Sequence, residues 1–516
     1  MCDIIPVPRA LERLPGRCDL GKGFVGGPSE LFGAEAEYLF ELIEDARRKA
    51  GSGSSSDPSK AASSAEGSSL PFVRFSPDAS LPGDEEYRLS VGPEGVEVTA
   101  RHGSGAFRAA TTLRQLLLSE GPSLPALRIE DGPRFPWRGF MLDTVRSFFP
   151  VEFLERMIDL AALHKLSVFH WHLTDDQAWR LDIPKRPEIG RFGSTRSDRR
   201  FNPPSRIDGL YSAADARRIV AFAAARHILV VPEIETPGHA TALLASHPEL
   251  SCRGAMPDGA PFVPESRYGV FEEILCAGND SVFELLADVY DEVATIFPGP
   301  YVHAGGDEAP KARWDSCPRC KARMKALALR DEAGALDSER LQAWFMGRVA
   351  ELLAERGKRL VGWDEILEGG PRKDAIVMSW RGIEGGIAAA KAGHEVVMSP
   401  QTHACYLDHR HGLDPDEPGR LGFCSVRDSY EFEPVPSALS EEEGKRIIGG
   451  QANLWTEIIQ FGRQAEYMAF PRLCALSEVF WSMKDKRDFG DFSRRLTAHG
   501  ERLDALGVNR YRGALE

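Results

Sequence analysis

The chain has 516 residues and a formal net charge of −14, with 42% hydrophobic and 27% charged residues. That balance permits a sizeable globular core, and no apolar run is long enough to span a membrane. The negative charge argues against broad binding to nucleic acid or acidic membranes, and nine cysteines are too few for a dense disulfide framework.

Residues 1 to about 130 are expected to form a small α+β domain. It has a helix over Ala34 to Ala50, alternating strand-like runs at Tyr87 to Val91 and Val96 to Ala100, and a helix from about Gly105 to Leu118. Between Gly51 and Ser69, nine of nineteen residues are Ser, so residues 51–69 are expected to be a disordered surface insertion. The breaker run Asp131-Gly132-Pro133 marks a domain boundary, and residues 131–516 form the second domain. Met1-Cys2-Asp3-Ile4-Ile5-Pro6 lacks the basic and apolar regions of a secretory signal. The expectation is a cytoplasmic protein, or a secreted or periplasmic one already trimmed.

From Arg138 onward, eight apolar runs end in polar, aromatic or ionisable residues. They are Arg138 to Val145, Leu166 to Asp176, Ile228 to Thr236, Tyr301 to Glu308, Arg359 to Ile366, Ala375 to Arg381, His394 to Gln401 and Ile447 to Glu457. Helix-like stretches such as Val151 to Lys165 and Ser338 to Lys358 separate most of them, which predicts a (β/α)8 barrel with its site at the strand C-terminal ends. Thr402 to Lys445, rich in Asp, Glu, Pro and His, reads as a long functional loop.

The fourth run ends Tyr301-Val302-His303-Ala304-Gly305-Gly306-Asp307-Glu308. Successive side chains of a strand point to opposite faces, so Asp307 and Glu308 can address one substrate only if the glycine pair bends the chain. Trp363, Trp380 and Trp455 each fall at or near the end of a separate predicted strand, and their convergence would make a box suited to a sugar ring or an N-acetyl methyl. His170 and His172, with His239 and His303, could instead hold a metal, so a metal-dependent barrel hydrolase is an alternative; the Trp and neutral polar groups beside them favour a sugar. Cys317 and Cys320 form one CxxC, read as a local disulfide or two thiols because zinc would need two further ligands. Cys252 and Cys276 bracket one loop and could pair.

These residues together resemble the family 20 glycoside hydrolases, exo-acting β-N-acetylhexosaminidases. The resemblance rests on Arg138-Gly139-Phe140-Met141-Leu142-Asp143 with Arg146, and Phe169-His170-Trp171-His172-Leu173-Thr174-Asp175-Asp176. It continues through Pro232-Glu233-Ile234-Glu235-Thr236-Pro237-Gly238-His239, the His303 to Glu308 motif, Trp363-Asp364-Glu365, Trp380-Arg381, Tyr406-Leu407-Asp408 and Asn453-Leu454-Trp455-Thr456-Glu457. It implies cofactor-free, retaining hydrolysis of terminal β-linked N-acetylglucosamine or N-acetylgalactosamine from an oligosaccharide or glycoconjugate, with the substrate's acetamide as nucleophile. Glu308 would be the general acid, Asp307 would orient the acetamide and Tyr406 would hydrogen-bond its oxygen. Trp363, Trp380 and Trp455 would enclose the methyl, while Asp175 and His239 support the acid. Arg146, Asp408 and Glu457 would hold ring hydroxyls, and His303 is grouped with the substrate-binding residues; no metal is assigned. A lacto-N-biosidase of the same family is the nearest alternative. Glu235 stands where the family usually has Asp, so the His239 position or pocket wall is expected to shift.

Overall fold

The computed structural model describes all residues except 1–2, 28, 52–69, 199–204, 257, 371, 404, 415 and 421. The Ser-rich insertion expected over residues 51–69 therefore falls almost wholly outside the described residues. Among the described residues no helix is long and apolar enough to cross a membrane.

The N-terminal sheet has six strands. In spatial order they are Ala10–Asp19, Ser123–Asp131, Tyr87–Gly92, Gly95–Ala100, Phe72–Pro77 and Val25–Gly26. Tyr87, Leu89 and Val91 alternate with more exposed residues and point to one face, where helices Gly33–Lys49 and Gly103–Glu120 bury their apolar stripes. This layer is fixed to the second unit by charged groups as well as by packing. Glu85 accepts from buried Arg138 and Arg108; burial would raise its carboxyl, but the two guanidiniums outweigh that and hold it at about 2. Trp481 Nε1 donates to Asp131, which also accepts from Lys165 Nζ at 2.8 Å.

Eight parallel strands close the barrel. They are Trp137–Asp143, Val168–His172, Leu229–Thr236, Tyr301–Gly305, Arg359–Trp363, Ile376–Ser379, Val396–Met398 and Ile447–Leu454, with the eighth pairing the first through Ala452 opposite Phe140. Seven lie within the apolar runs, and the first begins one residue ahead of its run, at Trp137. On the second strand Phe169 and Trp171 pack outward beneath the helices, while Val168, His170 and His172 take the other face. On the third strand Val230 and Ile234 pack outward, and Val231, Glu233 and Glu235 alternate inward. The lower interior is closed by Trp137, Met141, Val168, Val231, Val361 and Val397, so the barrel is a packed core open to chemistry only at its upper end.

Candidate active site

At the end of the fourth strand the chain turns through Gly305 at φ +68° and Gly306 at φ +101°, and Glu308 itself takes φ +43°. Both glycines are required. A Cβ on Gly305 would lie 1.8 Å from Glu235 Oε2, and one on Gly306 2.5 Å from Ile366. The turn brings both acids to one cavity, Asp307 nearly buried and Glu308 more exposed. His239 Nε2 lies 3.5 Å from Asp307 Oδ2 and 3.5 Å from Glu308 Oε2. Asp307 Oδ1 is buried without a hydrogen-bond partner among the described residues.

Behind His239 stand further carboxylates. Its Nδ1 is 3.0 Å from Asp176 Oδ2 and 3.2 Å from Asp175 Oδ1, and Asp176 Oδ1 accepts from the backbone and hydroxyl of Thr241. Burial would lower the His239 imidazole, but Asp175 and Asp307 outweigh it and hold the ring well above its ordinary value. Asp175 is pressed the other way. Its burial would raise it, yet Arg146 Nη2 at 2.7 Å and the His239 cation keep it well below the usual carboxylate range. Arg146 is aimed by Asp143 and by Gln177, which accepts from its Nε at 2.8 Å.

The aromatic residues converge. Trp363 and Trp455 have ring centroids 6.0 Å apart, and Trp380 stacks on Tyr406 at 6.4 Å with 12° between the planes. All four line a cavity of about 270 Å³ with Arg146, Asp175, His239, Asp307, Glu308 and Glu457. Trp380 Nε1 donates to Glu365 at 2.9 Å. Burial, with Asp307 and Asp364 adding to it, pushes that carboxyl up to about 8.

His303 is not brought to the cavity. It is fully buried one layer down, with Nδ1 2.7 Å from Glu233 Oε1 and its ring against Trp363, so the substrate-contact expectation is replaced by a supporting position. The physical reason is register. His303 pairs with Glu233 and faces inward below the strand end, whereas Asp307 lies beyond the strand. Glu233 is a hub that sequence reasoning gave no role. It meets His172, His170 at 3.1 Å and His303, and accepts from Trp363 Nε1 at 2.9 Å. His172 continues from Glu233 to Asp175, 3.0 Å from its Nε2; burial opposes its charge, but these two carboxylates hold the ring up to about 10. Three of the four histidines considered for a metal thus gather on one carboxylate below the cavity, while His239 stands apart beside the acid pair.

Glu235, whose longer arm was expected to shift His239 or the pocket wall, is not among the residues lining the cavity but lies behind Asp175, which is. It is buried against Gly305, and neither carboxyl oxygen has a hydrogen-bond partner among the described residues. Burial pushes its carboxyl well above the ordinary value, and Asp307 and Glu233 add to the shift.

At the far end, fully buried Asp408 accepts from Arg420 Nε at 2.7 Å, and Arg420 Nη1 lies 3.2 Å from Glu457 Oε1. Arg420 belongs to the loop spanning residues 402–445, and no motif of the sequence marks it. Its only signal in the chain is a cation within an acidic loop facing two predicted buried acids.

Residues 135–484 match glycosyl hydrolase family 20, catalytic domain, and residues 1–132 match glycosyl hydrolase family 20, domain 2. The chain belongs to glycosyl hydrolase family 20. Among family 20 relatives, it is 43% identical over 443 residues to a beta-hexosaminidase of Porphyromonas gingivalis, covering 84% of this chain and 55% of that one. A beta-hexosaminidase of Akkermansia muciniphila is 33% identical over 421 residues, with 80% and 83% covered. The fold superposes on the family 20 exo-β-N-acetylglucosaminidase of Vibrio harveyi in complex with N-acetylglucosamine. That match has a TM-score of 0.85 and 31% identity, covering 99% of this chain and 78% of that one. The β-N-acetylhexosaminidase of Streptomyces coelicolor gives a TM-score of 0.80 at 32% identity, with 99% and 97% covered. Family 20 membership supersedes the metal-dependent hydrolase alternative.

Proposed function

We propose that this chain is an exo-β-N-acetylhexosaminidase that removes terminal β-linked N-acetylglucosamine or N-acetylgalactosamine with retention, using the substrate's own acetamide as nucleophile. The observation that carries the reading is the acid pair at the cavity mouth with one imidazole 3.5 Å from each. Two carboxyls on opposite sides of a scissile bond suit an enzymic nucleophile and an acid. Two neighbours on one turn suit one acid and one orienting group.

In the first step the acetamide oxygen attacks the anomeric carbon, the glycosidic bond breaks, and protonated Glu308 gives its proton to the leaving oxygen. Asp307 accepts from the acetamide N–H and stabilises the positive charge of the oxazolinium; its unpartnered buried Oδ1 supports this role. In the second step water attacks the same carbon, its proton passes to the Glu308 carboxylate, and the acetamide reforms. Tyr406 donates to the acetamide oxygen, and Trp363, Trp380 and Trp455 enclose the methyl. His239, held by Asp175 and Asp176, positions both acids.

Arg146, Asp408 and Glu457 take the ring hydroxyls, with Arg420 closing the same end. That closure favours release of a monosaccharide over the disaccharide of a lacto-N-biosidase, because a longer chain would leave these buried charges unpaired. The test is hydrolysis of aryl β-N-acetylglucosaminide and β-N-acetylgalactosaminide, followed by a defined tetrasaccharide. Both aryl glycosides should be cleaved and the tetrasaccharide should yield single sugars. Disaccharide release, or no aryl cleavage, would overturn the reading.

A further inference from the structure

Away from the cavity, four cysteines from three separate segments meet at one point. Cys252 lies beyond the third barrel strand, Cys276 precedes the helix Ser281–Ile296, and Cys317 caps the helix Pro318–Ala326, whose first turn carries Cys320. Cys276 Sγ is 3.6 Å from Cys320 Sγ and 3.9 Å from Cys317 Sγ, and Cys252 Sγ is 3.8 Å from Cys320 Sγ. All four sulfurs lie within 4.8 Å of one another, and none is in a disulfide. Three of the residues are buried and Cys252 is partly so.

We propose that these four thiols form a structural zinc site. Four thiolates at about 2.3 Å from a single ion in a tetrahedron have sulfur–sulfur edges of about 3.8 Å; three edges here are 3.6, 3.8 and 3.9 Å, and all six lie within 4.8 Å. Two disulfides would draw the sulfurs into two close pairs. Here Cys276 approaches Cys317 and Cys320 almost equally, and Cys320 approaches Cys252 and Cys276 almost equally. The spacing also leaves room for one ion and not for a multinuclear cluster. An all-sulfur tetrahedral set suits zinc, and four protein ligands leave no open position for water or substrate, so the site is structural.

The backbone is shaped around this point. Cys276 N donates to Leu250 O at 2.8 Å, and Ser251 bridges Leu275, so the two ends of the loop are clasped beside the sulfurs. A Cβ on Gly278 would lie 2.2 Å from the Arg319 carbonyl carbon and 2.5 Å from Cys320 N, so only glycine lets this loop meet the CxxC turn. Four thiolates and one zinc ion carry two net negative charges. Arg319, which donates to Ser251 O at 2.7 Å, places its guanidinium where it interacts with Cys276 and Cys317 and offsets that charge. The sequence displays half of this site as the CxxC pair, and Cys252 with Cys276 supplies the two missing ligands in place of a disulfide between them.

Zinc there would join the loop that begins at His239 to the segment that follows Asp307 and Glu308. Its binding free energy would thereby hold the imidazole in register with the acid pair.

The test uses the full chain purified under reducing conditions without added metal. Elemental analysis should find about one zinc ion per chain, and titration with an organomercurial should release it as the cysteines react. Protein produced with cobalt in place of zinc should show the thiolate charge-transfer and ligand-field bands of a tetrahedral tetrathiolate. Cys276→Ser and Cys320→Ser should lose the metal and melt at lower temperature. If they fail to fold, the cobalt spectrum and the mercurial titration of the unsubstituted chain decide the matter. Metal-free protein with four free thiols after exposure to zinc, or disulfides among these residues in non-reducing peptide mapping, would overturn the proposal.

Discussion

Replacing Arg420 with Met should weaken substrate binding far more than it slows turnover. In the free protein Arg420 Nε is 2.7 Å from Asp408 Oδ2 and its Nη1 is 3.2 Å from Glu457 Oε1. Burial already raises both carboxyls above their ordinary values, and Arg420 opposes the shift in each. Breaking a fully buried pair costs about 3–5 kcal/mol, but the Arg420 side chain is 27% exposed and partly screened, so about 1.5–3 kcal/mol is the appropriate scale. Without the cation both acids take up protons more readily and become poorer acceptors for sugar hydroxyls. At about 1.4 kcal/mol per tenfold, KM should rise about 10- to 100-fold while kcat changes by a few-fold at most, the signature of lost uniform binding. The defect should be largest at acid pH and shrink as pH rises, since deprotonation restores the acceptors. Michaelis kinetics on an aryl β-N-acetylglucosaminide between pH 5 and 8 read this directly. An unchanged KM, or a fall in kcat alone, would refute the assignment of Arg420 to the hydroxyl end of the cavity.

Three further outcomes follow from the geometry. Glu308→Gln should cut turnover of substrates with ordinary leaving groups by on the order of 10²–10⁴, and much less when the leaving group needs no proton; equal loss for both would remove Glu308 as the acid. Asp307→Ala should lower kcat more than it raises KM, because the group acts on charge absent from the ground state; a pure KM effect would contradict that role. The folded protein binds the His172 and Glu365 protons more tightly than the unfolded chain, with values of about 10 against 6.5 and about 8 against 4.5. The stability these two groups contribute is therefore fully present below their unfolded values and is lost as pH rises through about 8 for Glu365 and about 10 for His172, on the order of several kcal/mol. Chemical denaturation at stepped pH should show that decline, with the upper part flattened in His172→Gln; a flat profile in the unsubstituted protein would contradict it.

The barrel was legible because each strand is short, apolar and closed by a change of chemistry, as in Tyr301 to Glu308. The acid pair and the Trp residues were legible for the same reason, since they stand at or near strand ends where alternation gives way to turns, whereas Arg146 was marked only by the family resemblance. What lies below the strand ends was harder to see. His303 and Glu233 share the inward face with residues that reach the cavity, and only register shows that they meet each other one layer down. Arg420 stands among the many charges of the long loop, and its meeting with Asp408 of that loop and Glu457 of the last strand run depends on how the loop folds back over the barrel. The cysteines show the same limit, because the CxxC pair is visible in the chain whereas its closeness to Cys252 and Cys276 depends on how two loops pack.

The central claim is that the substrate's acetamide makes the new bond to the anomeric carbon. It is tested most directly by measuring kcat/KM for aryl β-glycosides whose 2-acetamido group is progressively fluorinated, which weakens the carbonyl oxygen as a nucleophile while changing its size little. A steep fall in kcat/KM across the series, down to negligible hydrolysis of the trifluoro compound, is the predicted result. Rates that stay level, or that rise with fluorination, would contradict it.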